Sequence, residues 1–427
     1  MRVLLISVIT ENLYMTVLPL GAAYIAAAAR DAGHDVKMLS LRSRNDDYLE
    51  ILKTEVNRFR PRVIGVSMRN VDDQSMKNTV FLLEPVKEVV KTCRALSDAT
   101  IVLGGAGYSI FPTSSLAYTG ADMGIRGEGE TAFALLLDRL ENGKQPLDVP
   151  GLYLPEKGLQ TQLYFPESLD GYTMPLPNIH LEIPGNSPDE PIWVPVQTRR
   201  GCPMDCSYCS TSAIEGRLLR KHSPERVVEN IKKYVAAGIR HFFFVDNTFN
   251  FPASYAKALC DRIIAEKLDI QARCIVYPSK IDAELVQKMA KAGFREVSLG
   301  FESGSDVILK SFNKRFSLEE VRRISELFKK ENVFQMGFLL LGGPGETRET
   351  VLESLEFVDA LSLDLTKLSI GIRIYPNTPL AERAIQEGKI SSRDDLLLPR
   401  FYVVEELKDW LYETVHQWAK DRPNWMV

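Results

Sequence analysis

The first third of the chain alternates short apolar runs with helical patterns. Residues 3–8 form an apolar run, and residues 18–29 form a helical pattern rich in small residues. Further strand patterns follow at residues 35–39, 63–67, 101–103 and 123–125. Strands that are separated by helices are typical of a parallel sheet with helices on both faces. The pattern therefore predicts a doubly wound, Rossmann-like α/β domain over residues 1–145.

A second series of strand and helix patterns begins near residue 191. Its strand patterns lie at residues 193–198, 241–245, 270–276, 296–301, 334–341 and 367–374. Helical patterns separate them, for example at residues 224–237, 283–292 and 318–330. This repeat predicts a partial, TIM-like (β/α)6 barrel over residues 191–380, since a full barrel needs eight repeats. The proline- and glycine-rich residues 146–190 predict a surface linker, and residues 381–427 a C-terminal extension.

Ligands of parallel sheets bind at the carboxyl ends of the strands, so the loops that follow strands are the candidate sites. Three such loops occur in the first domain: Ser67-Met68-Arg69-Asn70, Gly104-Gly105-Ala106-Gly107 and Gly127-Glu128-Gly129-Glu130. Their glycines allow a backbone to approach a ligand closely. Plain turn chemistry would explain any one of them alone, and G-x-G-x-x-G is not matched.

Three cysteines lie on one loop directly after the first strand of the second series. Cys202, Cys206 and Cys209 have the spacing C-x-x-x-C-x-x-C. Three thiolates on a short loop can hold three irons of a cubane cluster and leave the fourth iron open. The alternatives are a disulfide or a zinc knuckle, but zinc needs a fourth ligand at similar spacing. His222 is the nearest histidine and has no partner at ligand spacing, so the loop favours a cluster.

Composition narrows the setting without identifying a function. The net charge of −4 argues against a dedicated nucleic-acid or membrane surface. The apolar opening run is too short for a spanning helix and lacks a signal-peptide cleavage pattern. Cys93, Cys260 and Cys274 are scattered, which predicts buried free thiols in a reducing compartment. We therefore expect a cytoplasmic protein.

The C-x-x-x-C-x-aromatic-C loop after a barrel's first strand resembles the radical S-adenosylmethionine superfamily. The resemblance implies that Cys202, Cys206 and Cys209 bind a 4Fe-4S cluster, whose open iron binds S-adenosylmethionine, and that Tyr208 lies beside the adenine. It implies further contacts with S-adenosylmethionine at later strands: Asp246 with the methionine amino group, Arg273 with the methionine carboxylate, Glu302 and Ser303 at the ribose, and Gly343 near the adenine. It also implies an electron donor such as flavodoxin or ferredoxin.

The N-terminal half resembles the cobalamin-binding domain that precedes the radical module in one large class. The motifs that carry the resemblance are Pro19-Leu20-Gly21, Gly33-His34-Asp35-Val36, Gly104-Gly105 and Arg126-Gly127-Glu128-Gly129-Glu130. It implies cobalamin contacts from the strand-end loops, namely from Ser67, Met68, Arg69, Asn70, Gly104, Gly105, Gly107, Gly127, Glu128 and Glu130.

The D-x-H-x-x-G signature, by which many cobalamin proteins supply a histidine to cobalt, is absent from the chain. We therefore expect no histidine on the lower face of the cobalamin. The loop Met68-Arg69-Asn70 is the candidate for covering that face, and His34 is expected to be a solvated turn residue.

The two resemblances together imply methylation of an unactivated sp3 carbon with methylcobalamin, which a second S-adenosylmethionine remethylates. The substrate could be a small molecule or a peptide or protein, for example a glutamine or arginine of methyl-coenzyme M reductase. Alternatives that use both cofactors are cyclisation, ring contraction or rearrangement. A methylthiotransferase would need N-terminal cluster cysteines, and only Cys93 lies there. A cluster-bearing sensor or cobalamin-binding module is the non-enzymatic alternative.

Overall fold

The computed structural model describes residues 1–9, 18–42, 47–177 and 192–427. The chain divides into two compact units. The first comprises Met1–Asp73, Val80–Trp193 and Thr211–Gly216, and the second comprises Gln74–Thr79, Val194–Ser210 and Arg217–Val427. Each unit is built on a seven-stranded sheet, so the predicted α/β fold class is confirmed.

The first unit has a twisted sheet with the strand order β2-β1-β3-β4-β5-β6-β7. Strands β1 to β5 are parallel, in the 2-1-3-4-5 order of a doubly wound fold. The bounds of its elements are β1 (Arg2–Ile9), α1 (Leu20–Asp31), β2 (Asp35–Arg42), α2 (Tyr48–Phe59), β3 (Val63–Ser67), α3 (Leu83–Leu96), β4 (Thr100–Gly104), α4 (Ala106–Ile110), α5 (Pro112–Thr119), β5 (Met123–Ile125), α6 (Glu130–Glu141), β6 (Leu152–Leu154) and β7 (Gly158–Leu159).

The linker prediction for residues 146–190 is wrong over residues 152–159. Strand β6 pairs antiparallel with β5, and β7 pairs antiparallel with β6, so this stretch extends the first sheet. Leu152 and Leu169 are completely buried and Met174 is 7% exposed. Leu152, Leu169 and Met174 therefore belong to the core of the unit. Residues 178–190 of the predicted linker lie outside the described residues.

The second unit has a fully parallel sheet with the strand order β18-β15-β14-β13-β12-β11-β8. The elements from residue 194 onward, of which α7 belongs to the first unit, are β8 (Val194–Val196), β9 (Arg199–Arg200), α7 (Thr211–Glu215), β10 (Arg220–Lys221), α8 (Pro224–Ala236), β11 (His241–Phe244), α9 (Ala253–Ala265), β12 (Gln271–Val276), α10 (Ala283–Lys291), β13 (Phe294–Glu302), α11 (Asp306–Ser311), α12 (Leu318–Lys330), β14 (Phe334–Leu341), α13 (Arg348–Leu361), β15 (Leu365–Ile370), β16 (Ile372–Arg373), α14 (Pro379–Gln386), β17 (Phe401–Tyr402), a 3₁₀ helix (Glu405–Leu407), α15 (Lys408–Lys420) and β18 (Trp425–Met426).

The seventh strand of this sheet comes from the C-terminal extension. Strand β18 pairs parallel with β15 through Trp425 and Met426. The stacked rings of Trp418 and Trp425, whose centroids are 6.1 Å apart, connect the strand to α15. A two-residue strand is too short to produce an alternating pattern, which is why the sequence predicted six strands.

Successive side chains of each strand point to opposite faces of this sheet. Phe242 packs against Tyr234 of α8, and Phe301 packs against Phe357 of α13, so these positions face the helices. The alternate positions of β11 to β14 are half-buried and form the inner face of the partial barrel. This inner face carries Phe243, Arg273, Ile275, Glu296, Ser298, Met336, Phe338 and Leu340.

Candidate cluster and cofactor site

The cysteine loop follows β8 and the short strand β9. Gly201, which precedes the first cysteine, has φ of +89°, and a Cβ atom there would lie 2.0 Å from the carbonyl oxygen of Leu218. Only glycine fits this close approach of two backbones. The backbone N–H of Cys209 donates to the carbonyl of Cys206 at 3.1 Å, which closes a turn between two of the cysteines.

The three thiols suit a cluster. Cys202 is buried, Cys206 and Cys209 are half-buried, and none of the three forms a disulfide. Within the described residues no group of three His, Cys, Asp or Glu side chains is placed to hold a single metal ion. A cubane cluster makes no such demand, because each thiolate binds a different iron. The loop therefore fits the predicted 4Fe-4S cluster.

Asp205 and Ser207 of the cysteine loop are anchored by two other segments of the second unit. One is the turn of residues 312–315 between α11 and α12, named here the clamp turn. Its Phe312 carbonyl accepts from the Ser207 N–H at 3.1 Å, and its Asn313 and Arg315 side chains bind Asp205 at 3.0 Å and 2.6 Å. The other segment is the start of α14, where the Leu380 N–H donates to the Ser207 carbonyl at 2.9 Å.

Tyr208 and Glu302 meet beside this loop. The Tyr208 ring makes an edge-to-face contact with Phe312 at 5.4 Å, and its hydroxyl interacts with the Glu302 carboxylate. Burial, reinforced by the negative charge of Glu302, raises the pKa of Tyr208 well above its usual range. The structure thus brings together two of the side chains that were predicted at the site.

Glu302 lies at the end of β13 in a strained backbone conformation. Its φ is +70°, and the register between β13 and β14 shifts between Leu299 and Glu302. A non-glycine residue in this region costs roughly 1–3 kcal/mol and persists where the surroundings enforce it, which is common at functional sites. The strain supports the prediction that Glu302 contacts a ligand.

Lys314 of the clamp turn is a site residue that the sequence analysis missed. Its Nζ lies 3.6 Å from Oε1 of Glu302 and donates to the Gly300 carbonyl at 3.2 Å. It also lies 5.5 Å from the centroid of the Tyr208 ring. Lys314 lies between two helices and not at the end of a strand, so the strand pattern along the chain carries no signal for it.

Asp246 has a structural role, and its contact with S-adenosylmethionine stays a prediction. Its carboxylate is 1% exposed and accepts from the Thr198 N–H at 2.7 Å, the Thr198 hydroxyl at 2.6 Å and the Arg199 N–H at 3.1 Å. The Arg199 guanidinium lies 3.4 Å away and is itself buried. Asp246 therefore holds the chain segment that leads into the cysteine loop.

Ser303 and Gly343 also have partners within the protein, and their contacts with S-adenosylmethionine stay predictions. The Ser303 side chain is completely buried and faces the Ser354 hydroxyl of α13 at 3.1 Å. The Gly343 N–H, predicted to lie near adenine, donates to the Glu346 carboxylate at 2.7 Å. Both groups are used within the protein: the loop after β13 packs on α13, and the loop after β14 closes on its own Glu346.

Arg273 lies in the middle of its strand rather than at the end. Its Cα pairs with Glu296, six residues before Glu302, which is roughly 20 Å along a parallel strand. Its guanidinium lies 3.9 Å from the Glu296 carboxylate and 4.8 Å from the Phe243 centroid. Burial lowers the pKa of Arg273 and raises that of Glu296. This position does not support the predicted contact with the methionine carboxylate.

Glu346 is a buried carboxylate that braces the loop after β14. Its Oε2 accepts from the N–H groups of Gly342 and Gly343, and among the described residues its Oε1 has no hydrogen-bond partner. Burial raises the pKa of Glu346 to about 7, against a usual value of 4.5, although the two N–H groups oppose this shift.

Glu346→Gln is expected to remove a pH dependence of stability. The folded state holds the Glu346 proton more tightly than the unfolded state, so the wild type should lose about 3 kcal/mol of stability as pH rises from 4.5 through 7. The glutamine oxygen still accepts both N–H groups but does not ionise. Unfolding free energies of both proteins at pH 5 and 8 test this: the glutamine variant should gain relative to wild type at pH 8, and a constant difference would contradict it.

In the first unit, the loops after β3 and β4 pack backbone against backbone. The Met68 N–H donates to the Gly104 carbonyl at 2.8 Å, and the Gly107 N–H donates to the Met68 carbonyl at 3.0 Å. Gly105 has φ of +101°, and a Cβ atom there would lie 2.4 Å from the Met68 oxygen. The glycines of this loop therefore have a packing role that is independent of any ligand.

The side chains of Met68-Arg69-Asn70, the loop predicted to cover the lower face of the cobalamin, differ in burial. Met68 is 1% exposed and packs inside the unit. Arg69 is exposed, whereas Ser67 and Asn70 are half-buried. Arg69 and Asn70 are thus the accessible side chains of this loop, and their contact with cobalamin remains a prediction.

The two acidic residues at the loop after β5 differ in burial and in their contacts. The Gly127 N–H donates to the Ser109 hydroxyl at 3.0 Å, which joins this loop to α4. Glu128 is half-buried and accepts from the Tyr172 hydroxyl at 3.3 Å, whereas Glu130 is 4% exposed at the start of α6. Their contacts with cobalamin also remain predictions.

The expectation that His34 is solvated is wrong. His34 is 9% exposed, and its Nδ1 lies 3.1 Å from the Met1 nitrogen and 3.8 Å from Glu141. Burial lowers its pKa. In contrast, Cys93, Cys260 and Cys274 are buried free thiols as predicted.

Residues 6–137 match the B12 binding domain, and residues 196–358 match the Radical SAM superfamily. An uncharacterized methyltransferase of Pyrococcus horikoshii is 28% identical over 90% of this chain and 83% of its own length. The tryptophan 2-C-methyltransferase of Streptomyces laurentii is 23% identical over 88% of this chain and 74% of its own. The same fold occurs in the solved structure of the radical S-adenosylmethionine methyltransferase TsrM from Kitasatospora setae, which has cobalamin and a 4Fe-4S cluster bound. The TM-score is 0.85 and the identity is 21%, and the match covers 100% of this chain and 90% of that chain.

The chain is therefore an enzyme that joins a B12-binding domain to a radical S-adenosylmethionine domain. It belongs to the cobalamin-dependent radical S-adenosylmethionine methyltransferase family. The predicted cofactors of this class, a 4Fe-4S cluster, S-adenosylmethionine and cobalamin, are confirmed.

In residues 1–9, 18–42, 47–177 and 192–427, no helix combines the length and the apolar composition that are needed to cross a membrane.

Proposed function

We propose that this enzyme methylates an unactivated sp3 carbon of its substrate. The observation that carries the proposal is the composition of the inner face of the partial barrel. Phe243, Ile275, Met336, Phe338 and Leu340 form the apolar part of this face. An apolar wall suits a saturated carbon, and it excludes water that would divert a reactive intermediate.

When bound, the cluster with S-adenosylmethionine supplies the hydrogen-abstracting radical, and methylcobalamin supplies the methyl group. The chain's own residues bind and position. Cys202, Cys206 and Cys209 hold the cluster, and Tyr208 and Glu302 line the place beside it. Proximity and orientation are the protein's main contribution to such chemistry.

The substrate class follows from the same inner face. Arg273 and Glu296 lie on it among the apolar side chains, 3.9 Å apart. They suit a substrate that carries a polar or charged group some distance from the carbon that is methylated. A small molecule with an apolar skeleton or a peptide segment fits this description, including a glutamine or arginine of a protein such as methyl-coenzyme M reductase. The electron comes from a reductant such as flavodoxin or ferredoxin.

Product analysis tests the proposal. The full chain with cluster and cobalamin is reduced and incubated with methyl-labelled S-adenosylmethionine and a fractionated cell extract. We expect a labelled product heavier by one methylene, with S-adenosylhomocysteine and deoxyadenosine formed in equal amounts. Deoxyadenosine with an unlabelled, altered product would instead indicate cyclisation, ring contraction or rearrangement. A chain that forms neither nucleoside product would be a sensor or binding module.

A further inference from the structure

Lys314 places a buried ammonium group beside the cysteine loop. Its side chain is 4% exposed. The Nζ donates to the Gly300 carbonyl at 3.2 Å, lies 3.6 Å from Glu302, and lies 5.5 Å and 5.9 Å from the ring centroids of Tyr208 and Tyr277. A lysine is seldom buried to this degree unless it is paired, and here one carboxylate and two ring faces surround it.

The clamp turn prevents this ammonium from moving away. The Lys314 N–H donates to the Leu309 carbonyl at 2.9 Å, and the Arg315 N–H donates to the Tyr277 hydroxyl at 2.8 Å. On the other side, Asn313 and Arg315 bind Asp205 of the cysteine loop. The residues on both sides of Lys314 are therefore tied to the loop that carries the cluster ligands.

We propose that Lys314 sets the reduction potential of the 4Fe-4S cluster that Cys202, Cys206 and Cys209 hold. A fixed cation in a site shielded from water stabilises the extra negative charge of the reduced cluster, and nearby charge and hydrogen bonding are established determinants of cluster potentials. The step is transfer of one electron from an external reductant of the flavodoxin or ferredoxin type, without bond changes or proton movement. The inference rests on the proposed function only in requiring that this loop binds the cluster.

The test is a redox titration of the full chain with reconstituted cluster, followed by the electron paramagnetic resonance signal of the reduced cluster, without S-adenosylmethionine or substrate. In Lys314→Met we expect the equilibrium constant for reduction to fall at least tenfold, a shift of 59 mV to a more negative potential. Lys314→Arg should keep the wild-type potential. Glu302→Gln should shift the potential the other way, because it removes the opposing charge.

Lys310→Met is the matched control, since Lys310 is an exposed lysine at the end of α11 and its loss should leave the potential unchanged. Iron and sulfide content confirms that each variant carries a full cluster. Equal potentials for Lys314→Met and Lys310→Met would overturn the inference, and the proposed methyl transfer would not be affected. If Lys314→Met does not retain a cluster, Glu302→Gln decides: an unchanged potential overturns the inference, and a less negative one supports it. A wild-type chain that takes up no cluster would overturn both proposals.

Discussion

Cys206→Ser is expected to lose the cluster and reduce deoxyadenosine formation to background. The serine hydroxyl stays protonated near neutral pH and is a poor ligand for iron in a sulfide cluster, so two thiolates would have to hold it. Cys206 lies in the middle of the loop, where its carbonyl also closes the turn to Cys209 at 3.1 Å. Iron content after anaerobic reconstitution and deoxyadenosine formed on reduction with S-adenosylmethionine are the two measurements.

Cys260→Ala is the matched control for this variant. Cys260 is a completely buried thiol of α9 in the same unit, and burial raises its pKa to about 12, so it does not present a thiolate. The control should therefore bind the same amount of iron as the wild type. A Cys206→Ser variant with wild-type iron content would exclude Cys206 as a ligand.

Asp246→Ala is expected to lower the free energy of unfolding of the second unit by about 3–5 kcal/mol, because it leaves the Arg199 charge buried and uncompensated. It also removes the acceptor for the N–H groups of Thr198 and Arg199. Thr198 immediately precedes β9 and Arg199 begins it, and β9 leads into the cysteine loop, so cluster uptake should fall as well. Denaturant unfolding followed by circular dichroism measures the loss.

Asp359→Ala serves as the control for a surface ion pair. Asp359 binds Arg422 through two hydrogen bonds of 2.7 Å and 2.9 Å, and its side chain is 47% exposed. Exposed pairs contribute about 0–1 kcal/mol, so this variant should unfold almost like the wild type. Equal losses for the two alanine variants would show that Asp246 is not a buried structural carboxylate.

Not every polar residue at the end of a strand is available to a ligand. Glu302, at the end of β13, meets Tyr208 of the cysteine loop, whereas Asp246 and Ser303, which also follow strands, hold other parts of the chain. The difference lies in the hydrogen-bond partners. Asp246 accepts from Thr198, just before β9, and from Arg199 of β9, whereas the Ser303 hydroxyl pairs with the Ser354 hydroxyl of α13. A strand end shows where a ligand can bind, and side-chain partners decide which residues are available for it.

The sequence by itself determined the features that depend on local order. The spacing of Cys202, Cys206 and Cys209 predicted a cluster loop, because all three ligands lie within one short segment. Alternating strand and helix patterns predicted two parallel sheets, because burial on a sheet repeats along the chain. Both features follow from residues close together in sequence.

Tertiary structure alone decided which distant residues meet. Lys314 reaches Glu302 and Tyr208 because the clamp turn packs against the cysteine loop, more than a hundred residues away in sequence. Arg273 lies in mid-strand beside Glu296 because of the register of β12 and β13. Two residues of the C-terminal extension, Trp425 and Met426, form an edge strand because their backbone pairs with that of β15. Each outcome depends on long-range packing and pairing, which a pattern along the chain does not encode.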